Sequence, residues 1–321
     1  MREASFLAKN EKKWRKVETI LDKRMDMHPD ESIDLFQELT DDLSYSRTNY
    51  PKSVATKYLN LLTVGIYQRI NRRKVEKWNR FLIFWREDVP LAVAQKRHSL
   101  LYGFLFFFLC LTIGVVSTHY DENFPRIILG DSYVDMTLEN IEKGDPMGVY
   151  KSEESDIMFL SITMNNLRVA FYTFVAGIFF SLGTYYFLFV NGIMVGAFQY
   201  FFLQKGLFWD SFLSIWIHGT IEISCIVIAG GAGIALGTSL LYPGTLPRKK
   251  SLIVGGKRAF KIFIGILPLI VIAALLESYV TRLTEAPIVV KAGIIIASFS
   301  FIIWYFVIYP YKLLKRKLVE N

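Results

Sequence analysis

Apolar residues are distributed unevenly along this chain. Residues 1–98 mix apolar and charged positions at helical spacing. Most of 99–309 is apolar, in runs that approach the roughly 20 residues needed to cross a bilayer. The first run is about Ser99–Ser117. A second apolar block, from about Arg168 to Leu207, is too long for one crossing and is interrupted by Asn191-Gly192. It reads as a hairpin of two spans, 168–190 and 192–207, joined at that dipeptide. The second arm is short, so a re-entrant segment buried in protein is the competing reading. Ser211–Leu240 forms the fourth span, Ala259–Arg282 the fifth with a kink expected at Pro268, and Ile288–Tyr309 the sixth. The chain is thus expected to be all-α: a polytopic helical membrane protein with about six transmembrane segments.

The fourth span organises the others. It carries Ala229, Gly230, Gly231, Gly233 and Gly237, and the Gly233-xxx-Gly237 spacing lets another helix approach closely. The same small-residue face is compatible with a homo-oligomer.

The first 98 residues read as an N-terminal cytosolic bundle of four short helices: Ser5–Arg24, one from Asp30 to about Arg47 with Asp30 as its cap, Pro51–Ile70, and about Arg73–Gln95. Val54, Tyr58, Leu61, Leu62 and Ile66 share one face of the third. Trp14, Tyr45, Tyr58 and Tyr67 read as core aromatics rather than a ligand box.

Charge adds orientation. The net charge is +8, but the basic residues border the apolar runs instead of forming a nucleic-acid patch. Arg69, Arg72, Arg73, Lys74, Lys77, Arg80, Arg86, Lys96 and Arg97 precede the first span. Arg248, Lys249, Lys250, Lys257 and Arg258 follow the fourth, and Lys312, Lys315, Arg316 and Lys317 the sixth. All three clusters belong inside, where they can meet anionic lipid. Both termini are then cytosolic, which demands an even number of crossings. The loop 118–163 is acidic and belongs outside; residues 310–321 form a basic cytosolic tail. The first apolar run begins too late for a signal peptide. Cys110 and Cys225, both within spans, give neither a disulfide framework nor metal spacing.

Candidate chemistry gathers in the outer half of the membrane. At ~1.5 Å per residue, His218 falls roughly 10 Å and Glu222 roughly 16 Å below the outer end of the fourth span. Asn165, Asn166 and Arg168 stand at the outer end of the second span and Glu277 near that of the fifth. Ionisable groups at such depth must face protein or a wet cavity. They form either an outward-facing polar site or a structural network in which His218 pairs with Glu222. One histidine and two carboxylates match no recognised metal motif, and no metal or cofactor is expected. The sequence has no P-loop, nucleophile elbow or H-E-x-x-H motif, so no catalytic residue is assigned.

Four motifs in order carry a resemblance: N-N-x-R-V-A-F-x-x-F-x-x-G (Asn165–Gly177), N-G-x-x-x-G (Asn191–Gly196), H-G-x-x-E-I-x-x-I-x-I-A-G-x-A-G (His218–Gly233) and A-A-L-L-E-S (Ala273–Ser278). With D-L-S-Y-S-R-T (Asp42–Thr48) and Y-L-N (Tyr58–Asn60), they make the chain similar to the stage II sporulation protein M family. The resemblance implies a non-catalytic scaffold of the bacterial cytoplasmic membrane that positions cell-envelope partners such as cell-wall hydrolases. Some relatives are encoded near a MoxR-type ATPase system. The competing expectation is a transporter or lipid-handling protein that works through His218, Glu222 and Glu277. Asn191, Gly192, Gly196, Gly230, Gly233, Gly237 and Pro268 are expected at packing or hinge points.

Overall fold

A computed structural model describes residues 3–22, 29–70, 77–146, 148, 154–283 and 286–319. Among these the regular structure is entirely helical. The chain divides into two compact units, residues 1–80 and 81–321.

The first unit holds α1 (Glu3–Asp22), α2 (Pro29–Asn49) and α3 (Val54–Ile70). Their apolar stripes meet in a core of Phe6, Trp14, Val17, Leu39, Leu43, Leu59, Leu62 and Ile66. Trp14 is buried, and its indole nitrogen donates to Asp42 Oδ2 at 2.9 Å, which satisfies the polar end of the ring. Lys13 pairs with the same carboxylate at 2.5 Å. The third helix turns a little differently from the expected face. Leu59, Leu62 and Ile66, spaced three and four apart, point inward, whereas Val54 and Leu61 are exposed. Tyr45 and Tyr67 are also exposed rather than core. The expected Asp30 cap and the basic side chains of Arg69, Arg72, Arg73, Lys74 and Lys77 fall outside the described side chains.

The expected fourth helix of the head is instead split. Helix α4 (Lys77–Ile83) is followed by a π-helical turn (Phe84–Asp88) and by α5 (Val89–Gln95). Val89, Ala92 and Val93 lie in the core of the second unit, because this stretch is too apolar to leave uncovered. Tyr305 and Tyr309 donate to the Trp85 and Arg86 carbonyls at 2.6 and 2.9 Å. Lys261 and Lys317 pair with Asp88 and Glu87, each at 2.7 Å.

The second unit continues with α6 (Arg97–Tyr120), α7 (Phe124–Leu129), α8 (Asp131–Glu142), α9 (Ser155–Val175), α10 (Leu182–Gln204), α11 (Phe208–Leu241), α12 (Arg248–Leu275), a π turn (Leu276–Thr281), α13 (Ile288–Ile303), a second π turn (Trp304–Ile308) and α14 (Tyr309–Val319). Five helical segments are long and apolar enough to cross a membrane: Arg97–Tyr120, Leu182–Gln204, Phe208–Leu241, Arg248–Thr281 and Ile288–Val319. Helix α9 is 21 residues long and packs among them, but Asn165, Asn166 and Arg168 dilute its apolar character. Contacts between helix ends make the six alternate in direction. Gln204 at the end of α10 reaches the Thr118 carbonyl near the end of α6, and Arg282 just after α12 reaches Ser155 at the start of α9.

Two boundaries differ from the sequence expectation. The hairpin does not turn at Asn191-Gly192, which lie inside α10. The turn is at 176–181, where Phe180 and Ser181 take positive φ values of 53° and 69°. Asn-Gly favours turns in water. Here the Asn191 amide donates back to the Phe187 carbonyl at 2.8 Å, and Gly192 provides room for a neighbour. A Cβ on Gly192 would meet Phe107 and Cys110, and one on Gly196 would meet the Leu111 carbonyl, so this pair seats α10 directly on α6. With 23 residues, about 35 Å of helix, α10 is long and apolar enough to cross a membrane. Likewise the acidic loop ends earlier than residue 163, because α9 begins at Ser155.

The hub is as expected. Helix α11 packs against α6, α9, α10, α12 and α13. Gly233 and Gly237 accept the Gly177–Thr184 turn, Gly230 accepts Leu188 and Gly231 accepts Leu100. Helix α12 runs through Pro268 without interruption.

Candidate functional site

The polar residues of α11 meet those of the π turn after α12. His218 is buried, and its ring divides its two nitrogens between two partners. Nδ1 lies 2.9 Å from Thr281 Oγ1, and Nε2 lies 3.8 Å from Glu277 Oε1. The Thr281 hydroxyl donates to the Leu276 carbonyl at 3.2 Å. With the hydroxyl so engaged, its oxygen can accept from Nδ1–H, the tautomer that leaves the Nε2 lone pair toward Glu277. The bond from Thr281 to Leu276 spans five residues, the π-helical repeat. Such turns insert one residue into a helix and are frequent at functional sites.

Glu222 completes the group. One donor atom each from His218, Glu222 and Glu277 lies within 4.8 Å of the others. The carboxylate nearest to His218 Nε2 is thus supplied by Glu277, from another helix, rather than by Glu222 one turn away. Neither carboxylate is paired with a lysine or arginine among the described residues.

On its other side Glu222 faces a cavity of about 210 Å³ between α6, α9, α10 and α11. Asn165, Asn166, Asn191, Phe107 and Ile226 are among its lining residues. Asn166 is buried at 7 % exposure, and its side-chain amide faces the Glu222 carboxylate. Ser278, fully buried beside Glu277, has an unpartnered hydroxyl. Buried polar atoms left without partners are rare and cost roughly 1–3 kcal/mol each.

Asn165 and Asn166 lie ten and eleven residues into α9, some 15 Å from its start, and so deeper than the helix end where the sequence placed them. Arg168 is not drawn into the group; it is exposed on α9. Sequence reasoning missed Thr281, Ser278 and the cavity-lining role of Asn191. Thr281 follows Glu277 by four residues, the spacing of one helical face.

A second cavity, of about 280 Å³, lies at the basic end of the bundle between Lys96 and Arg258, with Ser239, Tyr242 and Ser251. Burial, with Arg258 nearby, pushes Lys96 below the ordinary lysine range.

With this geometry in place, comparison with known families is decisive on one point. A model of stage II sporulation protein M matches residues 103–282, more than half of the chain and every residue of the His218 group and of the cavity that Glu222 faces. The chain belongs to the stage II sporulation protein M family. The match runs from Gly103, within α6, to the π turn after α12 and includes the hub helix α11. Residues 4–72, which contain α1–α3, match a separate domain of unknown function (DUF8413). No curated protein and no solved structure matches the chain.

Proposed function

We propose that this membrane protein is a non-catalytic scaffold of the bacterial cytoplasmic membrane. Its termini are cytosolic and its acidic segment faces outward, toward cell-envelope partners such as wall hydrolases. The observation that carries this reading is the acidic segment itself, which is built as a docked platform. Val134 of α8 is buried against Phe201 and Phe202 of α10, and Arg126 pairs with Asp131 and Asp135 at 3.2 and 2.7 Å. Asp121, Glu122, Asp131, Asp135, Glu139 and Glu142 remain exposed, a fixed acidic face for a basic partner surface. At the opposite end, the Lys96–Arg258 cavity suits lipid phosphate, and the head suits a cytosolic partner of the MoxR-type ATPase kind. The test is crosslinked capture from native membranes with Asp135, Glu139 and Glu142 changed to lysine. Loss of wall-hydrolase capture with normal protein level supports the scaffold; undiminished capture overturns it.

A second reading has its own observation, the Glu222 cavity with its three asparagines. It makes the protein a transporter or lipid-handling protein. In that case Glu222→Gln abolishes function at normal protein level, and wild-type function of that variant rules it out.

A further inference from the structure

Three features of the His218 group point the same way. The Thr281 bond aims the acceptor nitrogen of His218 at a carboxylate oxygen 3.8 Å away. That gap is too long for a hydrogen bond and of the right order for two donors sharing an ion. Two carboxylates stand together within the membrane-spanning part, and among the described residues no lysine or arginine pairs with either. A single dipositive ion would balance both, in a medium where unbalanced charge is costly. Next to them, Ser278 is fully buried with its hydroxyl unpartnered, and Asn166 is buried against Glu222 at the wall of the cavity.

We propose that His218, Glu222 and Glu277 form an intramembrane binding site for a first-row divalent metal ion of the zinc class, reached from the Asn165–Asn166–Asn191 cavity. One imidazole nitrogen and two carboxylate oxygens are a donor set such ions accept. Tetrahedral ligands about 2.1 Å from an ion stand roughly 3.4 Å apart. The observed spread of up to 4.8 Å closes with small side-chain rotations. The fourth position opens toward the cavity, where water can enter and Asn166 can donate to it. Thr281 orients the imidazole from behind, as second-shell groups do. No local motif announces the site, because Glu277 is 55 residues from Glu222 in the chain. The site stands whether the protein acts as scaffold or transporter.

The test is direct metal binding by the full chain in mild detergent, with any affinity tag removed. Zn²⁺ and Mn²⁺ are the probes, and Mg²⁺ is the competitor. The expected result is about one Zn²⁺ per chain by elemental analysis after dialysis, with affinity at least tenfold lower in His218→Gln, Glu222→Gln and Glu277→Gln. Each variant is compared only as a monodisperse species. Co²⁺ bound to the wild-type protein provides a check independent of variant folding, since a low-symmetry nitrogen and oxygen site gives visible ligand-field bands. Wild-type protein that retains no stoichiometric Zn²⁺, shows no such bands, or binds equally well after the substitutions overturns the proposal.

Discussion

His218 Nδ1 and Thr281 Oγ1 lie 2.9 Å apart, across the interface between α11 and the π turn after α12. The bond fixes which ring nitrogen faces Glu277. Thr281→Val keeps the shape and removes the acceptor, so the ring is free to turn or change tautomer. Zn²⁺ affinity of the folded protein should fall roughly 10- to 100-fold, and the metal-free protein should lose roughly 1–3 kcal/mol of stability from the buried imidazole N–H left without its acceptor, as measured by calorimetric titration alongside a melting curve. Unchanged affinity would remove Thr281 from the site.

Asn166 faces the Glu222 carboxylate from within the bundle. Replacing it with leucine leaves that buried carboxylate without its amide neighbour, so the metal-free protein should lose roughly 1–3 kcal/mol of stability. Intrinsic-fluorescence melting in detergent measures this. An unchanged midpoint would mean that Asn166 contributes nothing to the fold.

The contact between α6 and α10 depends on missing side chains. Gly196→Leu drives a side chain into the Leu111 carbonyl and should destabilise the bundle by about 1–3 kcal/mol or more. Gly293→Ala, on α13 with open space at the Cβ position, is the control and should be neutral or slightly stabilising. Similar melting of the two variants would show that α6 and α10 do not pack as described.

The acidic platform is held by apolar contact more than by charge. Val134→Ala should loosen α8 at a cost of about 1–3 kcal/mol. Asp135→Asn, whose side chain is 57 % exposed, should cost less than about 1 kcal/mol. Hydrogen exchange of the α8 amides separates the two: faster exchange in the first variant, near-native exchange in the second, and little sensitivity to salt.

In the head, burial and the neighbouring Glu18 push Tyr58 up to about 12. Its ordinary value is near 10, so the unfolded chain loses this proton first. The stabilisation is complete below pH 10 and fades as pH rises from 10 to 12. Tyr58→Phe should therefore lose less stability than the native chain across that window, as followed by denaturant unfolding at stepped pH. Parallel curves for the two proteins would count against the shift.

The sequence made the hub legible because its two signals are strong in any membrane helix: ionisable residues at depth and a run of small residues. His218, Glu222 and Glu277 could be grouped by depth alone. What misled was chemistry imported from water. Asn191-Gly192 looks like a turn, yet in α10 the asparagine bonds to its own helix and the glycine makes room for α6. The true turn at 176–181 carries no such dipeptide; Phe180 and Ser181 adopt left-handed backbone, and the Ser181 hydroxyl bonds to the Ile234 carbonyl. Asn165 and Asn166 were placed too shallow because their own polarity hid the first ten residues of α9. Thr281 was missed because a threonine four residues after Glu277 carries no signal of its partner, His218, which lies 63 residues earlier in the chain.

The position of α11 in the chain has a consequence for biogenesis. It emerges from the ribosome after α6, α9 and α10. The glycine seam lets α6 and α10 close on each other at once. Helix α9, by contrast, enters the bilayer with Asn165 and Asn166 still waiting for Glu222, and Glu222 in turn waits for Glu277, which arrives with the penultimate membrane-spanning segment. The nascent chain therefore carries an unfinished polar seam through most of its insertion.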